Sequence, residues 1–317
     1  MKHLKWAVLA LNPCIDHNCY LDSPIKQGSI NRIIKTSISY AGKGLNQAIV
    51  ASRLGQTVSY YSFCGQGQNR SQAEEIGERE AFKVFETRSN AGIRTNIKVI
   101  DSIGSGTEFN EKGGPYTEEE AAALIHSFLN SDADIYSMAG SIPQGLAPNT
   151  YAEIISKIKR EKPGAIILLD ADREALALGI QASPTLIKPN LRELAGLAGV
   201  SESELQDRNR LKEVCSDIFR KYHSNVLCTL DAQGAAYYGE GGQFLADAPK
   251  VSLRGFSGAG DTFLTAFCFS RFAENAQIPE AMNCASRAAG AKVALEGTAL
   301  PAPEDIQQIP TVAVREW

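Results

Sequence analysis

The sequence predicts an α/β fold, with a mainly parallel central sheet, helices on both of its faces and a small β-strand lid. Short apolar runs rich in β-branched residues alternate with longer helical patterns, which is typical of parallel strands joined by crossover helices. Two segments, at about residues 13–40 and 91–113, break this alternation with strand-like patterns and no intervening helix. Because no repeat or linker divides the chain, we expect one domain over residues 1–317 with these segments as excursions.

Apolar runs predict the strands of the central sheet: KWAVLAL, TVSYYSFC, DADIYSMAG, AIILLD, TLIKPN and NVLCTL. Between them, longer patterns predict helices: GLNQAIVASRLG, TEEEAAALIHSFLN, NTYAEIISKIKREK and NRLKEVCSDIFRKY. In the second helix, Thr117 and Glu120 have the spacing of a capping box. Ligands of such sheets bind beyond the carboxyl ends of the strands, so motifs that directly follow a strand are the main candidates for function.

The two excursions carry polar alternation, as SINRIIKTSISY in the first and as IRTNIKVID and GTEFNE in the second. This alternation predicts antiparallel strands outside the central sheet. We expect the strands of both excursions to pair with each other as one flap, although they are far apart in sequence.

Composition limits the classes of partner. The net charge of −4 argues against a general nucleic-acid binder, so an anionic substrate would need local cations. No apolar run approaches the roughly 18 residues of a membrane span, and the first run is ended by Asn12-Pro13, too early for a signal peptide. We therefore expect no membrane association.

Seven cysteines are spread along the chain without a CxxC pair, which favours a reducing, cytoplasmic location. Cys14, Cys19 and His17 suggest a metal site only weakly, because no second ligand pair accompanies them.

The glycine-containing stretch AGKGLN does not fit a P-loop, since Ser37 and Gly44 occupy positions that the P-loop pattern gives to glycine and to serine or threonine. It is a turn that opens the helix beginning near Leu45. The small residues are explained equally well by tight backbone geometry and by the close approach of a ligand.

Two further motifs follow predicted strands and also allow two interpretations. SMAGSIPQG is either a plain loop or part of a ligand site. In IKPNLREL, Asn190 and Glu193 share one face of a helix start. They either hold Mg²⁺ through its waters or form a helix cap.

The most informative stretch is GFSGAGDTFLTAFCFS, in which Asp261 opens an apolar helical pattern. Asp261 with Thr262 would serve as an N-cap, but a cap does not require the preceding Gly258, Ala259 and Gly260. These small residues predict a turn whose N–H groups converge on an anion. A carboxylate beside that turn can accept the proton of a hydroxyl that attacks phosphorus.

The order AGKGLN, IRTN, AGSIPQG, IKPN and SGAGDT resembles the phosphofructokinase B branch of the ribokinase-like sugar kinases, over about residues 8–301. Within that branch, NPCIDH, INR, IRTNIK and GTEFNE are most similar to the 1-phosphofructokinases, with the tagatose-6-phosphate kinases next. The resemblance implies a ribokinase-like fold and a transfer of phosphoryl from ATP, with Mg²⁺, to a phosphorylated ketohexose. Fructose 1-phosphate, giving fructose 1,6-bisphosphate, is the first expectation.

The resemblance also implies roles for individual residues. The sugar would be bound by Asp16, Gly42, Lys43 and Asn46, and its phosphate by Arg94 with Arg32 and Asn31. Asp261 would be the base, aided by the backbone of Gly258, Ala259 and Gly260, and Asn190 and Glu193 would be associated with Mg²⁺ and phosphate. The nucleotide side would include Lys188, Thr229, Gly234, Gly258 and Gly260. The lid would cover the sugar and clasp a second subunit, which gives a homodimer.

Three positions depart from the family pattern: Ala41 and Ile93 near the sugar, and Asp231 where relatives carry glycine near the nucleotide. A carboxylate at 231 is expected to repel phosphates. Asp231 and Ala41 motivate one alternative, a sugar-phosphate-binding protein without catalysis. A kinase of an unphosphorylated sugar or nucleoside is a second alternative, against which Arg94 and Arg32 argue because a neutral substrate needs no such pair.

Overall fold

The computed structural model describes residues 2–66, 71–103, 106–255 and 257–317. Its strands are β1 (Lys5–Ala10), β2 (Cys14–Leu21), β3 (Ile33–Ala41), β4 (Thr57–Gly65), β5 (Lys83–Ser89), β6 (Arg94–Ile100), β7 (Gly106–Asn110), β8 (Ile135–Ala139), β9 (Ile166–Asp170), β10 (Leu186–Ile187), β11 (Asn225–Thr229), β12 (Ala235–Gly239), β13 (Gly242–Ala246) and β14 (Val314–Glu316). Its α-helices are α1 (Lys43–Arg53), α2 (Gln72–Arg79), α3 (Glu118–Leu129), α4 (Thr150–Glu161), α5 (Arg173–Gly179), α6 (Leu191–Ala198), α7 (Arg208–Tyr222), α8 (Ala259–Cys268), α9 (Ile278–Ala294) and α10 (Pro303–Gln308).

The central sheet has the spatial order β14-β13-β12-β11-β10-β9-β8-β1-β4-β5. Neighbouring strands are parallel from β5 through β11, and β12, β13 and β14 complete the sheet in antiparallel pairs. All the apolar runs predicted to be strands belong to the parallel part. The predicted α/β class with a mainly parallel sheet is confirmed.

Helices cover both faces of this sheet. In β1, Ala7 and Leu9 pack into one apolar cluster, which includes residues of α3, α4, α5, α6 and α7. Trp6 and Val8 point the other way, into a cluster with residues of α1, α8 and α9. Successive strand residues face opposite sides, so a continuous apolar run such as β1 fills two cores at once.

A second sheet of four strands, in the order β3-β2-β6-β7, forms the lid. It joins the two excursions, because β2 pairs with β6 from Cys14 opposite Arg94 onward. The β2–β3 and β6–β7 pairs are antiparallel, but β2 and β6 are parallel, so the expectation of a wholly antiparallel flap is wrong. The reason is that β2 follows β1 and β6 follows β5 after short connections, and both therefore leave the same edge of a parallel sheet.

The helix starts agree with local sequence chemistry. The capping box of Thr117 and Glu120 is present at the start of α3, and each side chain accepts a hydrogen bond from the other residue's backbone N–H. Within the described ranges, no helix combines the length and the apolar character that a membrane crossing requires.

Candidate active site

The candidate site lies where the parallel strands of the central sheet end. Asn12 follows β1, Gly140 follows β8, Asp170 ends β9 and Lys188 follows β10. Two cavities of about 570 and 730 Å³ open at this edge. Both volumes are in the range of small-molecule sites. The two cavities share three lining residues, Gly42, Lys43 and Arg94.

Asp261 lines the smaller cavity and lies in the first turn of α8. The residue at the N-cap is Gly258, whose φ of 92° is in the left-handed region, so the helix begins before Asp261 and the capping interpretation of this aspartate is wrong. The carboxylate is 6% exposed, and its Oδ2 accepts a hydrogen bond of 2.7 Å from Asn46 Nδ2. Burial and repulsion from Asp170 raise the pKa of the Asp261 carboxyl to about 6, and attraction by Lys43 opposes this rise.

Asp170 organises the cations beside Asp261. Its fully buried carboxylate accepts hydrogen bonds from Lys43 Nζ at 2.9 Å and Gln47 Nε2 at 3.2 Å, and lies 3.4 Å from Lys188 Nζ. Burial acts to raise the pKa of this carboxyl, but the two ammonium groups outweigh burial and hold the pKa below its usual value. For Lys43 burial is likewise outweighed, here by nearby carboxylates, and its pKa is raised. Lys43 is therefore held charged at the site.

Larger side chains at Gly258 and Gly260 would crowd the groups around the start of α8. A Cβ on Gly260 would lie 3.2 Å from Lys188 Nζ, and a Cβ on Gly258 would lie 3.1 Å from Asn46 Nδ2. The Lys188 ammonium thus stands beside the first N–H groups of the helix. Free N–H groups with a cation next to them suit an anion such as a phosphate.

The lid contributes a polar group to the same cavity. Asp16 is 3% exposed and accepts hydrogen bonds from Lys98 Nζ at 2.6 Å and Asn96 Nδ2 at 3.2 Å. Lys98 Nζ also donates to Ser257 Oγ at 3.1 Å, just before α8. Lys98 therefore links the lid to the turn before α8, a contact that the sequence analysis did not anticipate.

Arg94 stands between the two cavities. Its Nε donates to Asn12 O at 3.3 Å and its Nη1 to Glu111 O at 3.1 Å. These contacts fix the guanidinium, while Nη2 has no hydrogen bond to any residue that the structure describes. By contrast, Asn31 and Arg32 are exposed and line neither cavity, and Asn31 exchanges hydrogen bonds with the backbone of Lys26.

None of the residues predicted on the nucleotide side lines either cavity: Lys188, Thr229, Gly234, Gly258 and Gly260. Thr229 ends β11 and forms an isolated bridge with Asn190. Gly234 has a φ of 94°, and a Cβ there would lie 1.9 Å from Ala246 O, so backbone packing alone requires this glycine. Asp231 is exposed with a φ of 49°, a conformation that glycine and aspartate tolerate better than most residues. Its exposure lets solvent screen the repulsion expected from its charge.

Comparison with known proteins decides the family. Residues 9–305 match the model of the pfkB family of carbohydrate kinases. The chain belongs to this family.

Individual relatives are sugar-phosphate kinases, in agreement with the family match. The chain is 29% identical over 270 residues to a 1-phosphofructokinase of Vibrio cholerae, with 84% of this chain and 82% of the relative covered. It is 30% identical over 288 residues to a D-tagatose-1-phosphate kinase of Klebsiella oxytoca, with 90% and 91% covered. The tetrameric inhibited form of phosphofructokinase-2 from Escherichia coli matches with a TM-score of 0.83 at 22% identity, over 96% and 98% of the two chains. The protein is a carbohydrate kinase with a ribokinase-like fold.

In this pfkB kinase, Asn190 and Glu193 form a reciprocal capping box at the start of α6. Asn190 Oδ1 accepts the Glu193 N–H at 2.8 Å, and Glu193 Oε2 accepts the Asn190 N–H at 3.0 Å. Glu193 Oε1 lies 3.7 Å from Lys43 Nζ. No group of three or more metal-binding side chains occurs in the part of the chain that the structure describes. These residues fit Mg²⁺ held mainly by phosphate oxygens and water, and not an ion bound directly by Asn190, whose side-chain oxygen is used in the cap.

The sequence analysis missed two charged groups of the candidate site: Asp170 and Lys98. Asp170 was visible as an acidic residue that ends an apolar strand, the position at which parallel sheets carry their ligand groups. Lys98 gave no such signal, because its partners Asp16 and Ser257 are far away in sequence.

Proposed function

We propose that this kinase transfers the γ-phosphoryl group of ATP, with Mg²⁺, to a phosphorylated ketohexose, with fructose 1-phosphate as the leading substrate and fructose 1,6-bisphosphate as the product. One observation carries the proposal: Asp261 and Arg94 line the same cavity of about 570 Å³. A buried carboxylate and a fixed guanidinium can then act on two ends of one ligand. An unphosphorylated sugar would leave the guanidinium without a function.

In the proposed reaction, the carboxylate of Asp261 accepts the proton of the acceptor hydroxyl as its oxygen attacks the γ-phosphorus. The new O–P bond forms while the bond between the γ-phosphorus and the departing oxygen of ADP breaks. Asn46 orients the carboxylate through its hydrogen bond to Oδ2. The N–H groups of α8, with Lys188 and Lys43 nearby, stabilise the charge on the transferred group.

Asp16, Asn96 and Lys98 would bind sugar hydroxyls from the lid side of the cavity. When bound, Mg²⁺ would neutralise phosphate charge, and Glu193 would face it through water. Lys188 would lie on the phosphate side of the nucleotide, and Thr229 and Gly234 remain predictions for the nucleotide site.

The test of this proposal is an assay of ADP release with ATP and Mg²⁺ against several sugars in parallel. The panel is fructose 1-phosphate, fructose 6-phosphate, tagatose 6-phosphate, tagatose 1-phosphate and free fructose. We expect turnover confined to a phosphosugar, with fructose 1-phosphate fastest. A preference for either tagatose phosphate would mean that the substrate is a tagatose phosphate and not a fructose phosphate. Turnover of free fructose alone would contradict the proposed phosphate site, and binding of phosphosugars without any turnover would favour the non-catalytic alternative.

We also propose that two copies of the chain associate through the lid. Ile38, Ile97 and Phe109 lie in one row across the lid sheet, with His17 between Ile38 and Ile97. Their exposed fractions are 64%, 40% and 58%, which is unusual for large apolar side chains on one face of a sheet. The opposite face carries Asp16 and faces the cavity. An apolar outer face of this kind fits a second lid, and the Escherichia coli relative is described as tetrameric.

Replacing Ile38 by glutamate is expected to convert the dimer to a monomer, because a charge would be buried within the proposed apolar contact. Sedimentation velocity over a range of protein concentrations measures this change. The matched control is Leu253→Glu, at a side chain that is 66% exposed and outside the lid sheet, which should leave the dimer intact. A wild-type monomer at all concentrations would contradict the proposal.

A cytoplasmic location is a further proposal, supported by the cysteines. All seven thiols are free, and all but Cys284 are buried. Burial raises the pKa of several of them, Cys14 to about 12, so they are unreactive core residues and suit a reducing compartment.

A further inference from the structure

Lys292 is a buried lysine with an unusual environment. Lys292 lies in the last turn of α9 and is 0% exposed. In the described ranges of the chain, no carboxylate lies within ion-pair distance of its ammonium. A buried charge without a countercharge is costly to fold, so it is rarely retained without a use.

The ammonium is held by backbone. Lys292 Nζ donates to Gly297 O at 3.0 Å. A Cβ on Gly255 would lie 2.9 Å from Lys292 Nζ and 2.6 Å from both Leu295 O and Gly297 O, so these groups converge on one side of Gly255. The N–H groups of Arg254 and Gly255 both donate to Val293 O, which ties this segment to the end of α9.

The same side chain reaches the start of α8. A Cβ on Gly258 would lie 3.5 Å from Lys292 Cε and 3.1 Å from Asn46 Nδ2, the donor to Asp261. Lys292 therefore packs against the turn from which the helix of the proposed base begins. A cation at a helix N-terminus is unfavourable in the empty protein and becomes favourable when a phosphate anion is bound there.

We propose that Lys292 is a positioning residue for phosphoryl transfer: its ammonium, anchored on the Gly297 carbonyl, fixes the turn at Gly258 and thereby the first helical turn that carries Asp261. The inference rests on the proposed function, because it takes Asp261 as the base. It adds a residue, far from the other site residues along the chain, that lines neither the smaller nor the larger cavity.

The lowered pKa of Lys292 gives the proposal an expected pH dependence. Burial, together with repulsion from Lys98 of β6, lowers the pKa of Lys292 to about 8, and attraction by Asp261 of α8 opposes that lowering. The ammonium is then lost as pH rises through about 8. In the wild type we expect kcat to decline across this range, and a variant with a neutral side chain should lack this alkaline decline.

The first variant is Lys292→Met, which keeps the length of the side chain and removes the charge. We expect kcat to fall by about 10²-fold, the effect of displacing a reacting group by about 1 Å, with little change in KM for the phosphosugar. Lys159→Met is the matched control, because Lys159 Nζ also donates to backbone carbonyls, those of Ala182 and Ser183, but at an exposed position of α4. A Lys292→Met enzyme with wild-type kcat would overturn the inference.

The second variant is Lys292→Ala, assayed with added ethylammonium. The small cation should restore part of kcat in this variant and none in Lys292→Met, where the methionine fills the space. Loss of activity in both variants without any rescue would indicate a packing role only and would contradict the inference.

Amide hydrogen exchange separates this inference from the proposed function, since it needs no turnover. Exchange of the N–H groups of residues 257–261 should be faster in Lys292→Met than in the wild type, and ethylammonium should slow it again in Lys292→Ala. If the wild type turns over no phosphosugar, the proposed function fails while this measurement still decides the role of Lys292. Unchanged exchange in Lys292→Met would refute that role.

Discussion

Replacing Asp261 by asparagine is expected to lower kcat by about 10²–10⁴-fold, the usual contribution of a positioned base. Asparagine has nearly the same shape, and its amide oxygen can still accept the hydrogen bond from Asn46 Nδ2. It cannot accept the proton of an attacking hydroxyl. Steady-state kinetics with the phosphosugar identified in the substrate panel measure the effect, and KM for that sugar should change little.

The pH dependence of the wild type adds a second readout. Because burial raises the pKa of Asp261 to about 6, kcat/KM should rise as pH increases through about 6 in the wild type, and this rise should be absent from the residual activity of Asp261→Asn. The folded state binds this proton more tightly than the unfolded chain, so ionisation of Asp261 lowers the free energy of unfolding as pH rises through its folded pKa. At pH 7 the asparagine variant should therefore be at least as stable as the wild type.

Asp305→Asn is the matched control for this variant. Asp305 also lies in the first turn of a helix, α10, accepts the N–H of Ala302 at 2.8 Å and lines neither cavity. Its replacement should leave kcat unchanged and lower stability slightly. An Asp261→Asn enzyme that keeps kcat within a few-fold of the wild type would require another base.

Replacing Arg94 by alanine is expected to raise KM for the phosphosugar by about 10- to 100-fold, since a hydrogen bond to a charged group contributes about 1.5–3 kcal/mol. Arg94 is held by the carbonyls of Asn12 and Glu111, so its guanidinium is already ordered before the phosphate arrives. The decrease in kcat should be smaller, because the reacting hydroxyl lies at the other end of the sugar. Steady-state kinetics that determine KM and kcat separately test this prediction.

Arg287→Ala controls for loss of an arginine that is anchored in the same way. Arg287 lies on α9 and lines neither cavity. It donates to the carbonyls of Ile309 and Gln307. This control should lower thermal stability without altering KM. If Arg94→Ala also left KM unchanged, the phosphate of the substrate would have to bind elsewhere, and the exposed Arg32 would be the next residue to test.

The parallel sheet and the turn before α8 could be predicted from sequence because their signals are local. Apolar runs such as that of β1 mark buried strands by themselves, and the small residues around Gly258 mark a tight turn into a helix. The N-cap was misassigned because glycine at 258 reaches the left-handed conformation without any side-chain signal. The sequence pattern of a cap at Asp261 and that of a base at Asp261 are the same.

The charge pairing could not be predicted, because it joins residues that only the tertiary fold brings together. Lys43 and Asp170 are 127 positions apart, and Asn46 and Asp261 are 215 positions apart. The parallel β2–β6 pair of the lid was missed for a similar reason, since its direction depends on the sheet edge from which both strands depart. Asn31 and Arg32 were placed at the site by resemblance alone, and the single chain leaves both exposed.

The position of β1 within the sheet has a consequence for synthesis on the ribosome. This strand emerges before both of its neighbours, since it pairs on one side with β4 and on the other with β8, where Trp6 lies opposite Ile135. At translation rates of about 5–20 residues per second, a strand of six mostly apolar residues waits about 6–25 seconds for the start of its second neighbour. During that time its edge can pair with another nascent chain, so the early chain depends on chaperones or on fast docking of α1.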